Sequence, residues 1–147
     1  QDFWRLSGFD RGVKLYSVDK VRIADVFIIG DLDKSYKNGI VEATITLHNM
    51  YSVPFKGSVE LSLVDADGRV VTKLAKPAEM LEGEMVELSF YSKVPKVKVW
   101  SHEHPNLYTS VITLKRADGS VVEATSCRTG FRRSRFAMLS CCLTAVV

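Results

Sequence analysis

Only three of the 147 residues are cysteine, four are proline and three are histidine. No apolar run approaches the ~20 residues that a membrane-crossing helix requires, so no membrane-spanning role is expected. Cys127, Cys141 and Cys142 are odd in number, and two of them are adjacent. That is neither a disulfide framework nor the spacing of a zinc site. Cys127 reads as a small buried residue on a strand. No G-x-S-x-G elbow occurs, and no cysteine stands beside a histidine with an orienting acid, so the usual nucleophile schemes have nothing to start from. The chain opens on Gln1, Asp2 and Phe3. It has neither an initiator methionine nor a basic start leading into an apolar stretch. The expectation is therefore no secretory leader, and a chain that is processed or cut from something longer.

A surplus of one charge sign is missing too. The net charge is +3, from 20 basic and 17 acidic residues. Arg132, Arg133 and Arg135 are the only charges from position 132 onward, and without those three the count is 17 against 17. The basicity belongs to the tail. Elsewhere Lys and Arg alternate with Asp and Glu, a solvated mixed surface rather than a stripe for phosphates, so no nucleic-acid partner is expected.

What the chain does have is a period of two. "VRIADVFIIG", "IVEATITLHN", "SVELSLV", "MVELSFYS", "VKVW", "LYTSVITLK" and "SVVEATSC" alternate apolar and polar residues. They are rich in Val, Ile, Thr, Tyr and Phe, which suit a half-buried pleated surface. "DADGR" at 65–69 and "RADGS" at 116–120 are near copies. Asp-Gly tolerates the positive φ of tight turns, so both read as hairpins. Pro77 and Pro95 are placed where strands should end. Short strands, Gly- and Asp-rich turns and no helical stripe make an all-β fold, an immunoglobulin-like antiparallel β-sandwich of about seven strands. No cysteine precedes Trp100, so core packing must hold the sheets together in place of a bridge.

"WSHEHPNLY", residues 100–108, looks most like chemistry. On a strand His102 and His104 would share a side, with Glu103 facing away. A catalytic zinc needs a third protein ligand and a structural one a fourth, and His48 is far off in sequence. The expectation is surface histidines and no metal. A glycosidase needs two carboxyl groups flanking one sugar, whereas Glu42, Glu60 and Glu87 are expected on polar strand faces. Tyr51, Tyr91 and Tyr108 fall on or beside strands expected to be packed, which weighs against a carbohydrate-binding platform.

Three stretches carry a resemblance. "QDFWRLSGFDRGVKLYSV" opens the chain, "VWSHEHPNLYTSVITL" follows the strands, and "ATSCRTGFR" closes them. Together they resemble the bacterial β-galactosidases of glycoside hydrolase family 2. There D-x-W-R-x-S-G-I-x-R-x-V ends a jelly-roll domain, W-S-x-E-x-P-N-L-Y lies in the immunoglobulin-like domain that follows, and G-F-R leads into a catalytic barrel. Asp2, Trp4, Arg5, Ser7, Gly8, Arg11 and Val13 match the first. Trp100, Ser101, Glu103, Pro105, Asn106, Leu107 and Tyr108 match the second, and Gly130, Phe131 and Arg132 the third. Phe9, Asp10, Gly12 and Lys14 depart from the pattern, and beyond Arg132 "RSRFAMLSCCLTAVV" resembles vector-encoded or out-of-frame sequence.

The resemblance implies residues 1–17 as a remnant of the jelly roll, 18–132 as the sandwich, and 133–147 as a non-native or disordered tail. It implies no catalysis by this chain, because the acid/base and nucleophile glutamates of the family lie in the barrel. The intact enzyme would cleave terminal β-galactosides with retention, using monovalent and divalent cations. Asp2 would there help to bind sugar and the monovalent ion, while Trp4, Arg11, Trp100, Glu103, Pro105, Asn106 and Tyr108 are structural, building a corner between strands. No cofactor is expected in this chain. The implied partners are the jelly-roll and barrel domains of the same polypeptide, with self-association through the apolar ends. The alternatives are the same domain of a β-glucuronidase or β-mannosidase, or a free-standing fibronectin-type module that binds carbohydrate or protein. The compartment is left between cytoplasm and periplasm of a bacterium.

Overall fold

The computed structural model describes residues 12–137 and 140–143 of the chain. Every regular element among them is a strand: β1 (Val21–Leu32), β2 (Gly39–Asn49), β3 (Phe55–Val64), β4 (Val70–Met80), β5 (Met85–Val94), β6 (Tyr108–Arg116) and β7 (Val121–Thr129). One antiparallel sheet has the order β1-β2-β5 and the other β4-β3-β6-β7. The expected sandwich of seven strands is what forms. In the tail, β8 (Ser134–Ala137) and β9 (Ser140–Leu143) pair only with each other.

Alternation explains which face each strand buries. Val41, Ala43, Ile45 and Leu47 of β2 point inward, and Glu42 points to solvent. They meet Val59, Leu61 and Leu63 of β3, Ile112 and Leu114 of β6, and Phe90 and Val94 of β5. Fully burying a side chain of this size stabilises by about 1.5–3 kcal/mol, so this apolar layer does the work of a bridge. The two Asp-Gly hairpins form as read. Gly68 and Gly119 have φ of 80° and 84°. The Asp65 carboxylate accepts from the Asp67 and Arg69 amides at 2.9 and 2.8 Å, and Asp118 from the Ser120 amide at 2.8 Å.

Three readings need correction. Pro77 does not end a strand; it sits inside β4, opposite Ser58. It is tolerated because β4 pairs on one side only, and an edge strand can spare a donor facing solvent. "VKVW" forms no strand: Val99 and Trp100 make isolated bridges, to Phe131 and Pro105. Tyr91, expected to be packed, is exposed, because it shares the outward phase of β5 with Glu87 and Ser89; Tyr51 is also exposed. Cys127 is half-buried.

Strand direction places the two ends of the sandwich at opposite poles. Val21, Asn49, Phe55, Met85 and Arg116 lie at the arrival pole, and Leu32, Gly39, Val94, Tyr108 and Thr129 at the departure pole. Strands of this length separate the poles by about 35 Å. Residues 12–18 run exposed and outside any sheet. The chain is then fastened: the Met50 amide donates to the Lys20 carbonyl at 2.9 Å, and Asp19 meets the Val21 amide at 3.2 Å and Arg116 at 3.0 Å. The Val21 amide, with the Tyr51 hydroxyl and Arg116, holds the Asp19 carboxyl below its ordinary value.

Asn49 is the polar group at the heart of this pole. It is fully buried, yet its Nδ2 donates to the Val53 and Leu81 carbonyls, both at 2.8 Å, and its Oδ1 accepts from the Tyr51 amide at 3.0 Å. One side chain thus ties the β2–β3 loop to the β4–β5 turn. Leaving a buried polar group unsatisfied costs about 1–3 kcal/mol. Asn49→Ala should lower the unfolding free energy by about 2–4 kcal/mol in urea melts, more than Ser62→Ala on the outer face. Equal losses for the two variants would contradict the clamp.

Candidate functional site: the corner at the departure pole

Residues 95–108 carry the chain from β5 to β6 around the pole at which β7 ends. Val97 is buried, and the Lys98 amide donates to the Tyr108 hydroxyl at 2.8 Å, a tyrosine closing a corner ten residues upstream. Asn106 Nδ2 donates to the Val99 carbonyl at 2.9 Å. The Ser101 hydroxyl accepts from the His104 amide at 2.9 Å, and the Ser101 amide donates to the His104 carbonyl at 3.0 Å. Trp100 bridges to Pro105 across this turn. Trp100, Pro105, Asn106 and Tyr108 therefore act together. Glu103 stands apart, 76% exposed at its side chain, 3.9 Å from an equally exposed His102. Among the described residues no three His, Cys, Asp or Glu side chains converge to hold a metal ion. Asp2, Trp4 and Arg11 lie outside the described residues.

Phe131, which was read only as part of G-F-R, turns out to be the keystone. It is completely buried, with its ring edge-on to Tyr108 at 5.1 Å between centroids. Its carbonyl accepts from the Trp100 amide at 2.9 Å. The flanking residues hold the departing chain to the end of β1: the Arg132 amide donates to the Gly30 carbonyl, and Arg133 Nη1 to the Leu32 carbonyl, both at 3.3 Å. The Arg132 guanidinium lies over the Trp100 ring at 5.3 Å. The seat exists because residue 39 is glycine. A Cβ there would lie 2.5 Å from Phe131 Cε1 and 2.8 Å from Val97 Cγ1.

The β1–β2 loop completes the pole. Asp33 accepts from the Ser35 hydroxyl and from Asn38 Nδ2, each at 2.7 Å, and Asn38 Oδ1 accepts from the Lys96 amide at 3.2 Å. Asn38 and then Ser35 hold the Asp33 carboxyl at about 2, against an ordinary 3.8. Neither this loop nor Gly39 was singled out from sequence, although Asn-Gly at 38–39 is a turn signal.

Among the described residues, the acids weighed for hydrolysis do not assemble into a pair. Glu60 lies between Lys73 at 2.8 Å and Lys115 at 3.0 Å, and those two hydrogen bonds hold its carboxyl below its ordinary value. That is the opposite of the raised value a general acid requires. Glu42 and Glu87 share the outer face of the other sheet, but Glu87 is opposite Thr46, four residues along β2 from Glu42. That is about 13 Å, too far to flank one bond.

Two predictions follow from the pole. Gly39→Ala should cost about 1–3 kcal/mol through overpacking, and Phe131→Ala about 3–5 kcal/mol through the void. The double variant should cost less than their sum, because both changes act on one space; additive losses in denaturant melts would rule out the shared seat. The Asp33 carboxyl should titrate near pH 2 by NMR, and Asn38→Ala should return it towards 3.8. Because its folded value is depressed, the stability linked to it is complete above its ordinary value and is lost as the pH falls through about 2.

Comparison with known proteins agrees with this architecture. The profile of "Glycosyl hydrolases family 2" matches residues 21–132. A β-galactosidase of Priestia megaterium is 35% identical over 133 residues, covering 90% of this chain and 13% of that protein. One of Clostridium acetobutylicum is 34% identical over 132 residues, covering 90% and 14%. The chain therefore spans about a seventh of the length of these relatives. A β-glucuronidase structure from glycoside hydrolase family 2 superposes with a TM-score of 0.74 over 80% of this chain and 13% of its own, at 16% identity, a likeness of fold. Profile, relatives and sandwich agree, and this immunoglobulin-like chain belongs to glycoside hydrolase family 2.

Proposed function

We propose that the chain is the non-catalytic sandwich domain of a bacterial β-galactosidase, a spacer that sets a jelly-roll domain and a catalytic barrel in fixed relation. The observation that carries this reading is the mismatch of coverage: nine-tenths of the chain aligns with β-galactosidases, yet it fills 13% of the first. The geometry supports it. The chain arrives at one pole and leaves at the other, and each crossing is fastened by hydrogen bonds to the sandwich. A linker that holds angle and distance needs both.

The chemistry belongs to the intact enzyme. There, one carboxylate would form a galactosyl intermediate while a second serves as acid and then base, giving retention. The described residues offer no such pair and no cluster of metal ligands, so the cations of the intact enzyme are not placed on them. The β-glucuronidase reading draws on the structural likeness alone, at 16% identity, whereas the 35% relative is a β-galactosidase.

The purified chain should release no chromophore from a nitrophenyl β-galactoside above a buffer blank, and the longer polypeptide that contains it should hydrolyse that substrate with retention. Turnover by the chain alone that survives repurification, and is abolished by Glu42→Gln or Glu60→Gln, would overturn the assignment.

A further inference from the structure

A groove of about 410 Å³ runs along the seam between β1 and β7 near the departure pole, with exposed apolar side chains in its wall. Its apolar wall follows from the alternation of β1: Phe27 and Ile29 take the outward phase, whereas Val26 and Ile28 pack against the core. On the β7 side the lining is Arg128 and Thr129. Phe27 and Ile29 stand on the β1 side, 61% and 44% exposed, with Trp100 and Leu107 beyond them. Arg128 and Arg132 complete the lining. Neither makes an ion pair among the described residues; Arg132 lies over Trp100, and Arg128 also borders a second hollow that Asp65 lines.

We propose that this groove is the seat of the domain that follows the sandwich in the intact glycosidase, and that this domain sets an apolar side chain against Phe27 and Trp100 and a carboxylate against Arg128 and Arg132. The inference rests on the functional reading above. Three observations choose this occupant. Arg132, through which the chain leaves the sandwich, is itself part of the groove's lining, so whatever follows starts within reach. The relatives are about seven times as long as this chain, so most of each lies outside the matched sandwich. The two guanidinium groups, neither in an ion pair among the described residues, favour negative charge, and arginine with aromatic residues is the composition that anchors interfaces. The rest of the seam is already closed from within: the Glu123 carboxylate accepts from the Ile23 amide at 2.7 Å, and the Arg132 amide caps Gly30.

Hydroxyl-radical footprinting of the isolated chain and of the intact polypeptide tests the proposal. Oxidation of Phe27, Trp100 and Leu107 should fall severalfold in the intact polypeptide. Phe27→Asp with Arg128→Glu should leave the melting temperature of the isolated chain unchanged, since both side chains are exposed. In the intact polypeptide the same pair should restore oxidation of Trp100 and split one thermal transition into two. Equal oxidation in both forms would overturn the proposal. So would protection in the isolated chain that grows with concentration, which would make a second copy the occupant, or protection lost on deleting residues 134–147, which would make it the tail. Protection without galactosidase activity would sink the functional reading and leave the groove; activity without protection would do the reverse.

Discussion

Everything at the departure pole depends on one aromatic ring having somewhere to go. Phe131 lies between the end of β1, the 97–100 segment and Tyr108, and its buried position fixes the path of the backbone on either side. The backbone beside the ring is held in turn, the Phe131 carbonyl by the Trp100 amide and the Arg132 amide by the Gly30 carbonyl. The ring is therefore more than core filling. It gives the chain a defined direction beyond the last residue pairing of β7.

The polar groups divide their labour in a related way. Asn49 at one pole and Asp33 with Asn38 at the other satisfy loop amides and carbonyls that strands cannot reach, so both sets of loops are rigid from within. Glu60 is neutralised by two lysines on an outer face. Glu42 and Glu87 face solvent on the outer side of the other sheet, and Asp33, Asp65 and Asp118 hold turns.

The strands were legible because a period of two is a local property: β2 and β3 could be read residue by residue, and both Asp-Gly hairpins announced themselves. Edge positions were harder. Pro77 looked like a terminator because sequence does not reveal that β4 has a partner on one side only, and Tyr91 looked packed because phase along β5 depends on the register with β2. The corner at 97–108 was legible through its resemblance to a family, whereas its partner Gly39 was not. Gly39 and Phe131 are 92 residues apart in the chain, and only the closure of the sandwich shows that one leaves room for the other. Asn49 escaped notice for the same reason, since its acceptors belong to two loops brought together by the fold.

The polar placement of inlet and outlet has a consequence for how such a domain can change length over time. Adding one residue within β2 would turn its inward side chains outward, and adding two would lengthen the span by about 7 Å; either would displace one neighbour relative to the other. The β3–β4 tip at 65–69 and the outermost residues of the β6–β7 tip, 117–119, fasten neither the incoming nor the departing chain. Insertions and deletions among homologues should therefore gather at those tips and spare the strands, so that gaps in an alignment of such domains would trace the outline of the measuring stick they leave intact.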